Sequence, residues 1–409
     1  MHLEDQDISA KPLSILFICN KSPWPAREGG PIAMNNLIEG LADAGHLVKV
    51  LAINTNKYAV DPKDIPQAYR DKTQIELGYI DLSVKPMGAF LNLFTKKSYH
   101  VERFISNTFD KKLREVLMHE CFDIVQIETL FMSPYLSTIR ELSQAKIVLR
   151  AHNIEHRIWK RVASITKNPL KKAYLNHLST TLERYEKNIL NAYDGIVPIS
   201  PVDAPFFIEN SSKPVLALPT GINPENLPVQ NNITPDHALF HIGAMNWMPN
   251  EEGIRWFTEQ VWPIVHRKLP HLKVHLAGRE MPDWLKNLQM KHVVIEGEVE
   301  NAYDFIQSKS ILIAPLFSGS GIRIKIIESM ALAKAVISTS IGAEGINYTH
   351  NKNILIANTA EEFASAIEML YGDIETTRQI GLAARDLILE EHNTPKIIQQ
   401  LVNFYQHIL

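Results

Sequence analysis

The feature of this sequence that most constrains its fold is the alternation of short, nearly continuous apolar runs with longer amphipathic segments. The first run covers residues 13–19 and is followed by a loop, by a helical pattern at 31–44 and by a second apolar run at 47–53. Strands that are apolar on both faces are typical of parallel sheets covered by helices on either side. The start of the chain therefore predicts a βαβ unit, whose helix ends at Gly45.

The same alternation occurs in two separate series, which predicts two sheets. In the first series we predict further strands at 124–127, 147–149 and 195–199 and a helix at 170–190. In the second series we predict strands at 239–242, 273–277, 292–296, 310–315 and 335–338 and helices at 251–265 and 322–333. Such alternation is typical of doubly wound α/β domains, in which ligands bind beyond the carboxyl ends of the strands.

A polar stretch rich in Pro and Asn separates the two series, and the length of the chain agrees with two domains. A chain of 409 residues exceeds the size of one ordinary core. We predict an N-terminal Rossmann-like domain at 1–221, a linker at 222–237, a C-terminal Rossmann-like domain at 238–393 and a final amphipathic helix at 394–409. The sequence leaves open on which domain that helix packs.

Composition and charge exclude several classes of function. Apolar residues make up 45% of the chain and charged residues 21%, which is typical of a folded soluble protein. The formal net charge is −3 and no long run of Lys and Arg occurs, so nucleic acid is not an expected partner. The chain has only two cysteines, no secretion-signal pattern in its first ten residues and no apolar stretch long enough to span a membrane, so we expect a cytoplasmic protein.

The most informative local motif is a glycine-rich loop between a predicted strand and a predicted helix, at residues 314–328. Gly319 and Gly321 allow the backbone to approach a ligand, and the helix N-terminus presents free N–H groups. Arg323 and Lys325 add positive charge, so diphosphate is the expected ligand. On a regular helix these two side chains diverge by ~200°, so only one of them would face the loop. A surface charge pattern at a helix N-terminus explains the same residues about as well.

Two further observations bear on the class of ligand. The loop lacks the third glycine of the dinucleotide-binding fingerprint, which disfavours a nicotinamide enzyme. Glu328 lies about two turns into the predicted helix, where a carboxylate can accept hydrogen bonds from a ribose diol. Gly29 and Gly30 end the first βα loop and indicate a close backbone approach there, with a plain turn and helix cap as the alternative.

Six stretches of the chain resemble family 4 of the retaining glycosyltransferases, which have the GT-B fold of two Rossmann-like domains facing a central cleft. They are Glu-Gly-Gly at 28–30, Arg-Ala-His-Asn at 150–153, Gly-Ala-Met-Asn at 243–246, Gly-Glu-Val-Glu at 297–300, Gly-Ser-Gly-Ile-Arg-Ile-Lys-Ile-Ile-Glu at 319–328 and Ile-Gly-Ala-Glu-Gly-Ile at 341–346. The resemblance therefore covers both predicted domains.

The resemblance implies a retaining hexosyltransferase that moves a sugar from a nucleotide-diphosphate sugar to an acceptor hydroxyl, without a metal ion or another cofactor. The N-terminal domain would hold a glycan or lipid-linked acceptor, the C-terminal domain would hold the donor, and the product would be a cell-surface polysaccharide or glycoconjugate. The predicted catalytic residues are His152, Arg323, Lys325 and Glu328. The predicted donor-binding residues are Gly29, Gly30, Gly243, Asn246, Arg279, Gly297, Val299, Gly319, Ser320 and Gly321.

Within that set the resemblance implies a role for each group of residues. His152 would contact the transferred sugar, Glu328 the ribose hydroxyls and residues 297–299 the base, while the backbone at 29–30 would lie against the diphosphate. The family carries an additional Glu eight residues before Glu328, where this chain has Ser320, so the sugar contacts differ there.

The family also differs from this chain in the position of the positively charged residues that bind phosphate. Many members carry an Arg and a Lys in the loop after the first C-terminal strand, whereas this chain has Ala244 and the pair at 250–251 there. We expect Arg323, Lys325 and Arg279 to supply the phosphate charge instead.

Other readings of the sequence remain open. A GT-B-shaped epimerase or phosphorylase, or a nucleotide-sugar-binding protein that has lost catalysis, would carry many of the same motifs. Asp5 and Asp7 resemble a metal-binding acid pair but lie in a polar tail, so we expect them to be solvated. Residues 90–99 mix apolar side chains with two lysines and predict either peripheral contact with the inner face of the membrane or a helix packed on the sheet.

Overall fold

The computed structural model of the chain describes residues 11–26, 28–56, 59–83, 87, 92–93, 95–228, 235–318 and 323–409. The chain divides into two compact units. Unit 1 comprises Met1–Leu218 together with Ile398–Leu409, and unit 2 comprises Pro219–Ile397. The predicted residues Asp5, Asp7, Gly319, Ser320 and Gly321, and part of the segment 90–99, lie outside the described residues.

Unit 1 contains a six-stranded parallel sheet. Its strands β1 to β6 are Ser14–Cys19, Leu47–Asn54, Glu76–Tyr79, Ile124–Glu128, Lys146–Ala151 and Gly195–Pro198. They are hydrogen-bonded in the order β3-β2-β1-β4-β5-β6. The strand order reverses between β1 and β4, and the carboxyl ends of the strands at such a switch point form the usual ligand crevice of doubly wound sheets.

Helices connect these strands, and the first and seventh of them correspond to the helices predicted at 31–44 and 170–190. In unit 1, helices α1 to α8 are Gly29–Asp43, Gln67–Thr73, Tyr99–Glu102, Asn107–His119, Leu136–Leu142, Glu155–Ile165, Pro169–Ile189 and Ala204–Asn210. The predicted end of α1 is confirmed: Gly45 follows the helix with a φ of 87°, a left-handed conformation that glycine adopts at low cost.

Unit 2 repeats the architecture of unit 1. Strands β7 to β12 are Asp236–Ile242, Val274–Ala277, Val293–Gly297, Lys309–Ala314, Ala335–Ser338 and Leu355–Ile356, in the order β12-β11-β10-β7-β8-β9. The switch point lies between β7 and β10, which are paired in parallel. Helices α9 to α15 are Met248–Trp256, Trp262–Lys268, Asp283–Lys286, Ala302–Gln307, Ile324–Ala331, Ala360–Gly372 and Ile374–Glu391, with a π-helical turn at Phe257–Val261 between the first two.

The cores lie where the apolar strands meet the helices. In β1 every residue from Ile15 to Cys19 is fully buried, because helices cover both faces of the sheet. Unit 2 is built in the same way, with Leu312 and Ile313 of β10 packing into separate apolar clusters on opposite faces. The prediction of two doubly wound α/β domains is confirmed.

The final helix, α16, is Thr394–Ile408, and residues from Ile398 onward belong to unit 1. Its Tyr405 is fully buried, and its Phe404 ring lies so close to Gly195 that a Cβ there would approach it to 2.8 Å. The structure therefore divides the chain near Leu218 and returns its last helix to the first unit, whereas we predicted domain boundaries at 221 and 393.

Candidate functional site

In unit 2 the loop after β7 packs tightly against the loop after β8, and helix α9 packs against the residue after β10, because glycines remove the side chains that would separate them. A Cβ at Gly278 would lie 1.9 Å from the carbonyl oxygen of Gly243, and a Cβ at Gly253 would lie 1.9 Å from that of Pro315. Contacts this short exclude any larger residue. The loop that contains Gly243 is thereby held against the loop after β8 at the carboxyl end of the sheet.

Lys325 of α13 projects its amine into this loop region and makes two polar contacts. The Nζ atom lies 2.5 Å from Oδ1 of Asn250 and 3.2 Å from Nε2 of His241. The Asn250 amide is oriented by donating through Nδ2 to the carbonyl oxygen of Ala244 at 2.8 Å. A Cβ at Gly243 would come within 2.9 Å of the Lys325 amine, so the loop and the cation are in direct contact. We call Lys325, Asn250 and His241 the Lys325 cluster.

Burial shifts the pKa values of both titratable groups in the Lys325 cluster toward the neutral form. Burial, and then the Lys325 charge, lowers the pKa of His241 well below its usual range, and its Nδ1 lies 2.9 Å from the carbonyl oxygen of Ile313. Neutral His241 therefore donates through Nδ1 and accepts through Nε2. Burial, and then the neighbouring Arg323, lowers the pKa of Lys325 well below its usual range. A bound anion would reverse that effect on Lys325, because an opposite charge favours the ammonium form.

Arg323 lies in the N-cap position of α13 rather than within the helix. Its backbone is extended, with φ of −89° and ψ of 96°, and the helix begins at Ile324. The divergence of Arg323 and Lys325 that a regular helix from 322 would cause therefore does not apply, because this turn is irregular. The Arg323 side chain is buried and its guanidinium lies 5.5 Å from the centre of the Trp247 ring. Both cations belong to the same part of unit 2.

Glu328 is three residues after Lys325 on α13, so the two side chains share a face of the helix. The phenol of Tyr303 donates to its Oε1 at 3.5 Å. Burial raises the pKa of Glu328 to about 7, and the Tyr303 hydrogen bond offsets only part of this rise. A carboxyl group with a raised pKa at the end of a parallel sheet is a candidate ligand-binding group.

A cavity of about 420 Å³ lies beside the loops that follow β8 and β9. The predicted donor-binding residues Arg279 and Gly297 line it, together with Met281, Ile295 and Glu298. Gly297 has a φ of 73°, and its carbonyl oxygen accepts from the N–H of Gly278 at 2.7 Å. Two further predicted residues lie near these loops: Val299 is partly buried and Asn246 is exposed.

In unit 1, the predicted residues lie at the carboxyl end of the first sheet. Gly29 and Gly30 open α1, after a loop that is bridged by an ion pair of 3.2 Å between Lys21 and Glu28. His152 follows β5 directly and is buried. Its Nε2 atom lies 2.6 Å from Oε2 of Glu128, the last residue of β4.

Sequence reasoning missed four polar residues that the structure places against the predicted ones: His241, Asn250, Tyr303 and Glu128. His241 and Glu128 are fully buried at or near the carboxyl ends of β7 and β4. A titratable residue at the carboxyl end of a predicted core strand is the signal that would have found them, since such groups are rarely buried without a partner. Tyr303 carries no comparable signal, because its contact with Glu328 depends on how α12 packs.

Comparisons with known proteins agree with this architecture. Residues 236–373 match the family model described as Glycosyl transferases group 1. Sucrose-phosphate synthase from Thermosynechococcus elongatus superposes with a TM-score of 0.70 at 16% identity, over 97% of this chain and 99% of that chain. TarM superposes with a TM-score of 0.69 at 11% identity, over 97% of this chain and 100% of that chain. The chain has the GT-B fold.

Other GT-B structures and one sequence relative extend the comparison. HepE of Anabaena, in a complex with UDP-glucose, superposes with a TM-score of 0.62 at 14% identity, over 97% of this chain and 100% of that chain. An uncharacterized 44.6 kDa protein in the cps region of Klebsiella pneumoniae is 24% identical over 95% of this chain and 98% of its own length. The domain match and the fold together support a GT-B glycosyltransferase.

Proposed function

We propose that this protein is a retaining glycosyltransferase that moves a sugar from a nucleotide-diphosphate sugar to the hydroxyl of a glycan or lipid-linked acceptor. The observation that carries the proposal is the Lys325 cluster beside Arg323 at the start of α13. It brings two cations and a helix N-terminus together at the switch point of a sheet. This arrangement lies inside the segment that matches the group 1 glycosyltransferase model, and it suits a diphosphate.

The remaining parts of a donor fit around that cluster. Glu328 is one turn further along α13 and would accept hydrogen bonds from the ribose hydroxyls. The cavity lined by Arg279 and Gly297 is large enough for a base and would receive it. HepE has been solved with UDP and with UDP-glucose, which supports a nucleotide sugar of this class as donor. The location of the Klebsiella relative in a cps region supports a role in surface polysaccharide synthesis.

In the proposed chemistry the enzyme accelerates transfer mainly by stabilising the leaving group, the nucleoside diphosphate. Breaking the anomeric bond leaves additional negative charge on the diphosphate, and preorganised cations and N–H groups stabilise that charge most in the transition state. The Lys325 cluster and Arg323 would carry out this role without a metal ion. The departing phosphate oxygen would accept the proton of the acceptor hydroxyl on the same face of the sugar, which retains the anomeric configuration.

Peripheral contact with an anionic membrane surface is a second part of the proposal. Helices α6 and α7 form a hairpin, and six basic residues with no Asp or Glu lie between Glu155 and Glu183: Arg157, Lys160, Arg161, Lys167, Lys171 and Lys172. Near the turn of the hairpin, Ile165 and Leu170 are 54% and 82% exposed. Cations beside exposed aliphatic side chains suit anionic lipid headgroups. No helix among the described residues is long and apolar enough to cross a bilayer.

Vesicle sedimentation tests the membrane contact. The protein should sediment with phosphatidylglycerol vesicles and not with phosphatidylcholine vesicles, and high salt should weaken the binding. The double variant Leu170→Ser, Lys171→Glu should remain in the supernatant. Equal sedimentation of the variant and the parent would exclude this surface.

A thermal-shift screen of nucleotide-diphosphate sugars, followed by turnover assays, tests the central proposal. A ligand that binds only the folded state stabilises it by about 2.7 kcal/mol at a concentration 100 times its Kd. UDP-glucose, UDP-N-acetylglucosamine, GDP-mannose and ADP-glucose are suitable probes. A shift followed by acceptor-dependent release of nucleoside diphosphate supports the proposal. Donor turnover without an acceptor would favour an epimerase or phosphorylase, and tight binding without turnover would favour a protein that has lost catalysis.

A further inference from the structure

A buried chain of hydrogen bonds connects the final helix of the protein to His152. The hydroxyl of Tyr405 on α16 donates to Oε1 of Gln126, a residue of β4. The Nε2 amide of Gln126 donates to Oε1 of Glu128 at 2.6 Å, and Oε2 of Glu128 lies 2.6 Å from Nε2 of His152. All four side chains are at least 90% buried, and all belong to unit 1. We call these four residues the His152 relay.

The direction of each hydrogen bond in the relay is fixed by its neighbours. Burial, and then the nearby Glu128 carboxylate, raises the pKa of Tyr405, so its hydroxyl stays protonated and donates. The Gln126 amide must then present its oxygen to Tyr405 and its NH₂ group to Glu128. A carboxylate accepts at both oxygens, and Gln126 donates to Oε1, so the His152 nitrogen that faces Oε2 is the one that carries a hydrogen.

Packing gives Glu128 few alternatives to this arrangement. Both of its oxygens have a partner in the relay, and the Glu128 side chain is fully buried. Its partner across the sheet is Arg150 of β5, which is also buried and can balance the negative charge. Burying a carboxylate costs considerable desolvation free energy, which only good hydrogen bonds and a nearby opposite charge offset. Because both oxygens of Glu128 are hydrogen-bonded, the position of its carboxylate is well defined.

We propose that Glu128, Gln126 and Tyr405 are positioning residues that hold His152 in its Nε2–H tautomer, with Nδ1 left to meet the substrate. The role of His152 in sugar transfer rests on the function proposed above, whereas the tautomer does not. A hydrogen-bond partner on the far side of an imidazole sets both the ring orientation and the identity of the protonated nitrogen. The last helix of the chain thereby contributes to the geometry of a residue that directly follows β5 of the first sheet.

The ¹⁵N NMR spectrum of the imidazole rings tests the tautomer directly. His152→Ala identifies the His152 signals by their disappearance. In the parent protein at pH 8, the ¹⁵N shifts should report a hydrogen on Nε2 and a bare Nδ1. In Glu128→Gln the amide NH₂ can donate to the ring, so the signal should move toward the Nδ1–H tautomer. An Nδ1–H tautomer in the parent, or an identical tautomer in both proteins, would overturn the relay.

Kinetics test whether the relay serves the reaction. Glu128→Gln should lower kcat about 10- to 100-fold, as loss of the group that orients a functional histidine commonly does, with little change in the donor KM. Tyr405→Phe should lower kcat about threefold or more, in the same pattern. Tyr193→Phe is the matched control, because it removes a buried phenol that pairs with Ser133 at 2.6 Å elsewhere in unit 1. Its kcat should equal that of the parent.

The outcomes separate this inference from the proposed function. Equal kcat values for Tyr405→Phe and Tyr193→Phe would show that the relay only supports the fold, and would overturn the positioning role. If Glu128→Gln does not fold, Tyr405→Phe still provides the kinetic comparison, and the parent spectrum still reports the tautomer. A parent protein with the expected tautomer but no nucleotide-sugar turnover would instead contradict the proposed function.

Discussion

Glu328 and Lys325 share a face of α13, and burial drives both toward their neutral forms. Burial raises the pKa of Glu328 to about 7 and lowers the pKa of Lys325 well below its usual range. A nucleotide sugar would favour the charged form of each, since ribose hydroxyls donate to a carboxylate and diphosphate attracts an ammonium. The cost of burying these two charged groups therefore destabilises the free protein, and a bound donor would offset part of that cost.

Glu328→Gln should weaken donor binding and stabilise the free protein. Loss of a charged hydrogen-bond acceptor should cost about 1.5–3 kcal/mol of binding free energy, measured by calorimetry. The folded-state pKa of about 7 exceeds the ordinary 4.5, so the protonated form adds stability below pH 4.5 that is lost as pH rises through 7. Gln does not ionise and so does not lose this stability. Above pH 7 the free energy of unfolding of the variant should therefore exceed that of the parent by about 1–3 kcal/mol.

The control for this prediction is Glu390→Gln, which changes an exposed residue of α15. It should alter neither the donor affinity nor the pH dependence of stability. Donor affinity that is unchanged in Glu328→Gln would remove Glu328 from the site.

Lys325 should take up protons when the donor binds. Glu328 is ionised above its pKa of about 7, so at alkaline pH the group that responds to the diphosphate is Lys325, whose lowered pKa the anion raises. Calorimetry in two buffers of different ionisation enthalpy should show net proton uptake by the parent protein and none by Lys325→Met. Equal uptake in both proteins would exclude Lys325 as the phosphate-binding cation.

Turnover should respond more than affinity to the loss of either cation. Arg323→Ala and Lys325→Ala should each lower kcat about 10²-fold, because leaving-group charge grows in the transition state. The control Lys352→Ala removes an exposed lysine of unit 2 and should retain full activity. If neither cation variant changes kcat by about threefold, the phosphate site lies elsewhere, and Arg279 is the next candidate.

Among the elements, the loops after β7 and β8 depend on one glycine contact. Gly278→Ala places a Cβ 1.9 Å from the carbonyl oxygen of Gly243, and backbone on both sides must move. The free energy of unfolding should fall by about 2 kcal/mol or more, and donor affinity should fall with it, measured by denaturant titration and calorimetry. Gly372→Ala is the control: no atom lies within 4 Å of its Cβ, so its stability should stay equal or rise.

Element boundaries show what the sequence could and could not predict. Continuous apolar runs identified β1, β2 and β11 to within a residue, because burial on both faces leaves little choice of residue. The start of α13 was misplaced by two residues, because Ile322 and Arg323 continue the apolar and basic pattern of the helix while Arg323 is in fact extended. Helix termini depend on cap geometry, which a periodic pattern does not encode.

On the scale of the whole molecule, the doubly wound fold was predictable and the polar network was not. Alternating strands and helices specify a parallel sheet, since only helices on both faces cover strands that are apolar throughout. Tyr405 and Gln126, in contrast, are 279 residues apart, and their hydrogen bond depends on the return of α16 to unit 1. No local pattern in the sequence specified on which unit that helix packs.

The most direct test of the account is a transfer reaction run in excess EDTA with the donor found by screening, its product analysed by proton NMR. The proposed mechanism relies on the Lys325 cluster and Arg323 to stabilise the departing diphosphate, so transfer should proceed at an undiminished rate. The anomeric proton of the product should show the configuration of the donor. Abolished transfer under chelation would contradict the cation mechanism, and an inverted anomer would contradict assignment to the retaining glycosyltransferases.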